Sequence, residues 1–145
     1  MASIVSHSME RALSARLPRG ARVQTLDVGG TAFLAMAKAG MRQATPHAYW
    51  IFLIGGPKQW RDAFLQQLGS NLPDAVLLTS SMWLLKDRAQ LDAQWPELKA
   101  LLDGCFDLVE DHAVTSSWHP WAGTSPSWQL YVRPGIPKRD CSVAR

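Results

Sequence analysis

Short apolar runs alternate along this chain with longer stretches whose apolar residues stand three and four apart. This alternation constrains the fold more than any other feature of the sequence. Residues 23–28, 49–54 and 75–79 read as strands; the 49–54 run is aromatic and β-branched on both faces, which suits a strand buried on both sides. Between them, Phe33, Met36, Ala37 and Gly40 keep helical spacing after Thr31, a natural N-cap. Trp60, Phe64 and Leu68 place one apolar stripe on a helix over 59–72. Leu98, Leu101, Leu102 and Cys105 do the same after Pro96, whose missing N–H costs nothing at a helix start. Two strands close the pattern, at 106–110 and 128–133, the latter alternating as a half-buried edge strand. Met9, Ala12, Leu13 and Leu17 add a short amphipathic helix at the front. Strands alternating with helices require crossover connections and a parallel sheet covered on both faces. The pattern therefore predicts an α/β fold: a three-layer αβα Rossmann-like sandwich around a mainly parallel sheet of about five strands, the last one antiparallel.

The chain of 145 residues fits one domain over 1–145, with loose termini at 1–8 and 135–145. A 47% hydrophobic and 19% charged composition argues for a packed core rather than disorder. The net charge of +3 is spread unevenly, with arginines near the start and acids over 87–111. Aromatics do not interleave with a dense basic face, which argues against nucleic acid as a partner. No run approaches the about 20 apolar residues of a membrane span, and residues 1–17 lack the apolar core of a secretory signal. Read alone, the chain carries no export address and is expected to stay cytoplasmic. Cys105 and Cys141 permit one disulfide in an oxidising compartment. Their settings point instead to a small core residue and a free thiol in a loose tail. The histidines, His7, His47, His112 and His119, are scattered, so no structural metal site is expected.

Four arrangements could carry chemistry. The first is Asp27, Gly29, Gly30 and Thr31, where strand one gives way to a helix. Glycines there let a backbone approach a phosphate or nucleoside, and many methyltransferases that use S-adenosylmethionine open with a similar Asp-x-Gly. The third glycine of that fingerprint and an acid closing the following strand are both missing, so the glycines read foremost as a tight strand-to-helix turn. The second is Ser80 and Ser81 after a strand, with His112 or His119 later in the chain. The glycines of a nucleophile elbow do not flank them, and hydroxyls there commonly form turns. The third is the Glu110 and Asp111 pair. Neighbours on a strand point to opposite faces, so the two carboxylates should not converge on one bond. The fourth is Trp118, His119 and Trp121 in a long connection over 111–127. These rings could contact a sugar or a partner, or cover a sheet edge.

The order of several motifs resembles the soluble C-terminal domain of bacterial integral-membrane glycosyltransferases of the GT-C type, related to protein mannosyltransferases. The resemblance runs from Leu17-Pro18-Arg19-Gly20-Ala21-Arg22 and Gln24-Thr25-Leu26-Asp27 through Lys38-Ala39-Gly40-Met41-Arg42-Gln43-Ala44-Thr45. It continues with Phe64-Leu65-Gln66-Gln67-Leu68 and Leu72-Pro73-Asp74-Ala75-Val76, then Trp95-Pro96-Glu97-Leu98, Phe106-Asp107-Leu108-Val109 and Trp128-Gln129-Leu130-Tyr131-Val132-Arg133. It covers roughly residues 10 to 134. The acidic stretch that often follows the Gln-x-Thr segment in such proteins has no counterpart over 46–52. The resemblance implies a non-catalytic accessory domain on the extracytoplasmic face of the bacterial inner membrane. Its partners would be the membrane helices of a polyprenyl-phosphate-sugar-dependent transferase, with a glycan or lipid-linked sugar as a further contact. The catalytic acid and the sugar-phosphate site of that family lie in its first extramembrane loop and helix bundle. The resemblance therefore implies no catalytic residue, cofactor or metal here. Two alternatives stand beside it: a free Rossmann-like nucleotide- or S-adenosylmethionine-binding enzyme, and a partner-binding module that uses the 118–121 loop.

Overall fold

The computed structural model describes residues 2–26, 31–46, 53, 56–80, 92–113 and 127–141. It is an α/β fold around a five-stranded mixed sheet. The helices are α1 (Ala2–Arg16), α2 (Thr31–Lys38), α3 (Lys58–Ser70) and α4 (Pro96–Cys105). The strands are β1 (Arg22–Leu26), β2 (Arg42–Gln43), β3 (Ala75–Ser80), β4 (Asp107–Ala113) and β5 (Ser127–Val132). Their order across the sheet is β2-β1-β3-β5-β4. β1 pairs in parallel with β2 and β3, and β5 pairs antiparallel with both β3 and β4. Four strands thus point one way and β5 points back. No helix among the described residues is long and apolar enough to cross a membrane.

Strand alternation sorts the core into two clusters. Val76 and Leu78 of β3 join Phe64 and Leu68 of α3, Leu98 and Leu102 of α4, and Tyr131 of β5. Ala75 and Leu77, one residue out of phase, join Met9 and Leu13 of α1, Ala32 and Met36 of α2, and Leu130. Successive Cβ atoms point to opposite faces, so the two clusters lie on opposite sides of β3. The largest buried side chains, Trp95 and Trp128, belong one to each cluster.

One end of the sheet is locked by a single carboxylate. Asp74, just before β3, accepts from the Arg22 amide at 2.9 Å through Oδ2 and from Arg133 Nη2 at 3.2 Å through Oδ1. Its own amide donates to the Arg22 carbonyl, and its carbonyl accepts from the Arg133 amide. It thereby ties the start of β1, the start of β3 and the end of β5 at the amino end of the sheet. Arg22 also reaches Asn71, and Arg133 reaches the Leu72 carbonyl.

Four expectations are corrected. The strand that follows β1 in the chain and pairs with it is Arg42–Gln43; of the expected strand over 49–54, Leu53 is described and is helical, and the rest lies outside the described residues. Gly40, at φ 74°, ends α2 and reverses the chain so that Arg42 meets Arg22 at once. A Cβ on Gly40 would also come within 2.8 Å of the Arg19 guanidinium. So short and polar an edge strand leaves no apolar alternation to read. Second, β5 is not at an edge. It lies between β3 and β4, and Gln129 and Tyr131 on its supposedly wet face are buried. The edge strand on that side is β4, bulged between Leu108 and Glu110, a feature that discourages pairing with a further strand.

The third and fourth concern the termini and the cysteines. α1 begins at Ala2. Cys141 is not a free thiol: it is buried and bonded to Cys105, closing a separation of 36 residues. Lys138 Nζ donates to the carbonyls of Phe106 at 2.7 Å and Asp103 at 3.2 Å and pairs with Asp107. The segment after β5 is therefore fastened to the end of α4 as far as Cys141.

Candidate functional site at the carboxyl end of the sheet

Strand order singles out one end of the sheet. From β1 the chain moves through α2 to β2 on one side, and then through α3 to β3 on the other side of β1. The order therefore reverses between β1 and β3, and ligands of open α/β sheets bind at the carboxyl ends of the strands beside such a reversal. Leu26 and Leu78 stand opposite each other there, and Thr79 Oγ1 approaches the Leu26 carbonyl at 3.5 Å. Thr31 is the first residue of α2 at this position, one residue inside the helix from the N-cap place the sequence suggested. Asp27, Gly29 and Gly30, the other cofactor candidates, lie outside the described residues.

Register places the remaining connections at the same end. Ser80 pairs with Ser127, and Ser127 pairs with Ala113. The segment 114–126, which carries Trp118, His119 and Trp121, therefore leaves and rejoins the sheet at its carboxyl end. Those three residues also lie outside the described ones. The segment after Ser80 starts there too.

A buried polar clamp fixes the connection after β2. Gln24 and Thr25 of β1 are both fully buried. Thr45 Oγ1 donates to Gln24 Oε1 at 2.7 Å, Gln24 Nε2 donates to the Thr25 carbonyl at 2.8 Å, and Thr25 Oγ1 donates to Gln43 Oε1 at 3.1 Å. Buried polar groups of this kind are costly unless bonded, so the clamp holds 43–45 in one arrangement against β1. Arg61 does similar work at the front of α3, donating to the carbonyls of Leu53 at 3.1 Å and Gly56 at 3.3 Å. The sequence offered no local sign of either contact, because each partner is an ordinary polar residue or a backbone group.

A second polar cluster sits on β4. Glu110 and His112 share a face, as residues two apart on a strand must. His112 Nε2 lies 2.7 Å from Glu110 Oε2, and Arg16 Nη2 of α1 donates to Glu110 Oε1 at 3.1 Å. The His112 ring stacks on Trp128 with centroids 4.3 Å apart. Asp111 turns to the other face and accepts from Gln129 Nε2 at 3.1 Å. The two neighbouring carboxylates thus diverge, as strand geometry requires. His112 also stands on a strand that β5 separates from β3. Its partner across the ladder is Trp128, which in turn pairs with Thr79, so two strand spacings, roughly 10 Å, intervene. Ser81 and His119 lie outside the described residues. Among the described residues no group of three or more His, Cys, Asp or Glu could hold a metal ion.

The hydrogen bond with His112, followed by the one from Arg16, holds the Glu110 carboxyl below its ordinary range, against the opposing effect of burial. A carboxyl whose folded pKa is depressed stabilises the fold above its unfolded pKa, about 4.3, and loses that contribution as pH falls through the folded value. Acid should therefore loosen α1 from β4, and Glu110→Gln should remove this part of the acid dependence. Urea midpoints measured against pH for both proteins should converge below about pH 4. Parallel curves would show that the cluster carries no linkage.

No protein-family model matches this chain, and no curated protein matches it significantly. The fold and the sites above are therefore read from its own residues.

Proposed function

We propose that this chain is a non-catalytic accessory domain, a three-layer αβα unit on the extracytoplasmic face of a GT-C type membrane glycosyltransferase that uses a polyprenyl-phosphate sugar. The observation that carries the reading beyond the sequence resemblance is the Cys105–Cys141 disulfide. Such bonds persist in oxidising compartments and are rare in the cytosol. A cytoplasmic chain has little use for one; a domain carried outward by attached membrane helices does. The elements also support the reading by their order. The Leu17-to-Asp27 motif leads into β1, the Gln43-Ala44-Thr45 motif is the polar clamp, and Trp95-Pro96-Glu97 opens α4. In this role the domain shapes access to the transferase from outside, and its carboxyl end is the face with connections long enough to meet a partner. The test is whether membrane spans are encoded in frame upstream of Met1 or by an adjacent gene.

A second reading draws on the order reversal between β1 and β3, which favours a free Rossmann-like enzyme binding a nucleotide or S-adenosylmethionine over residues 27–31. Saturable binding of S-adenosylmethionine by the isolated chain would favour it over the accessory reading.

A further inference from the structure

Strand register sets a row of charge across the amino end of the sheet. Arg42 opens β2 and stands opposite Arg22, which opens β1. Asp74 comes next, just before β3, and Arg133 after it, just past the end of β5. All four lie on the face that α3 and α4 cover. Arg22 is an even number of residues from Leu26, Asp74 from Val76 and Arg133 from Tyr131, and those three residues belong to that cluster. Arg42 shares the face through its pairing with Arg22. The carboxylate of the row is committed on both oxygens. Asp74 Oδ1 accepts from Arg133 at 3.2 Å, and Oδ2 accepts from the Arg22 amide at 2.9 Å. Lys138, beside the start of β4 at the same end, pairs with Asp107. Arg22 and Arg42 are left side by side on strands about 4.8 Å apart. Like charges directly opposite each other on paired strands are destabilising. Among the described residues no carboxylate pairs with either guanidinium.

The Arg22 side chain is half-buried and held by neutral acceptors. Nη1 donates to Asn71 Oδ1 at 3.1 Å and to the Leu72 carbonyl at 3.4 Å, and Nη2 donates to the Asn71 carbonyl at 3.3 Å. Three of the five N–H donors of the guanidinium are thus used. Nε–H and the second Nη2 hydrogen remain, the edge of the fork that meets two oxygens of one oxyanion. The cation is therefore oriented without being neutralised. Arg42, exposed on the neighbouring strand, brings a second fork. A third guanidinium, that of Arg19, lies against Gly40, two residues before Arg42. We propose that Arg22 and Arg42 bind a phosphate group, in the form of a phosphomonoester. Such a group carries close to two negative charges at neutral pH and three acceptor oxygens. It matches two cations, accepts from both forks, and removes the repulsion between the paired arginines. A soluble phosphomonoester and a lipid headgroup supply the same chemistry, and the test separates them. The site stands at the end of the sheet away from Thr31 and does not rest on the accessory-domain reading.

The test titrates the 145-residue chain with glycerol 3-phosphate by calorimetry, against chloride at matched ionic strength, and mixes it with phosphatidic acid vesicles. Saturable binding of phosphate is expected, and none of chloride. Arg42→Gln should weaken phosphate binding about tenfold or more. Without phosphate it should raise the thermal midpoint, because one of two opposed charges is gone. Arg11→Gln, which removes an exposed arginine of α1, should bind like the parent. Binding of glycerol 3-phosphate that Arg42→Gln weakens supports a free ligand. Binding of the vesicles alone, again lost in Arg42→Gln, supports a headgroup. Binding of neither would overturn the proposal. So would equal binding by Arg42→Gln, or binding of a single-stranded oligonucleotide without either phosphomonoester, which would make this end a nucleic-acid face.

Discussion

Cys141→Ser should lower the free energy of unfolding by about 4 kcal/mol, a large part of the stability of a domain this size. The magnitude follows from the loop that the bond closes. A cross-link across 36 residues removes roughly 13 cal/mol/K from the unfolded chain in the loop-entropy account. The native contacts are not all lost with it. Lys138 still donates to the Phe106 and Asp103 carbonyls, so the segment should remain partly docked while its end frays. Urea unfolding with and without a reductant gives the comparison: the reduced parent and the variant should fall together, and limited proteolysis should clip the variant first after β5. A loss under about 1 kcal/mol would mean that the tail contacts alone fasten the segment.

Trp95→Ala should cost about 3–5 kcal/mol. The side chain is 1% exposed and meets Phe64 of α3 with ring centroids 5.6 Å apart, tilted by 54°. It stands just before α4, where its carbonyl accepts from the Leu98 and Lys99 amides. One side chain therefore joins α3 to the start of α4 over the sheet, and its removal leaves a cavity between them. Trp60→Ala is the matched control: half-exposed on the first turn of α3, it should move stability by no more than about 0.5 kcal/mol. Equal losses at the two positions, read from urea midpoints at constant slope, would contradict the assignment of Trp95 to the core.

These two sites also show what the chain disclosed and what it withheld. The stripe of Leu98, Leu101, Leu102 and Cys105 was legible because helix periodicity writes burial into spacing, and all four residues are buried. The same holds for Phe64 and Leu68, and for the apolar run of β3. Pairing partners are not written that way. Arg42 and Gln43 form a strand because Gly40 returns the chain beside Arg22, not because they are apolar. β5 looked like an edge because Gln129 and Tyr131 alternate with larger apolar groups. Its insertion between β3 and β4 depends on a partner that follows β3 by way of α4. The cysteine pair, the Asp74 lock and the Arg16–Glu110 pair join residues 36 to 94 apart, and no local pattern announces contacts at that separation. Of the candidate site residues, Thr31 is described, and it stands inside α2 as its first residue. Asp27, Gly29, Gly30, Trp118, His119 and Trp121 lie outside the described residues.

The accessory reading joins a disulfide-fastened domain, proposed to face outward, to membrane helices that the described residues do not contain. Sequencing the gene upstream of Met1 tests that join most directly. The account predicts an in-frame series of apolar spans of about 20 residues each, or an adjacent gene that encodes them. A promoter and start site immediately before Met1, with no neighbouring gene for a membrane protein, would contradict it.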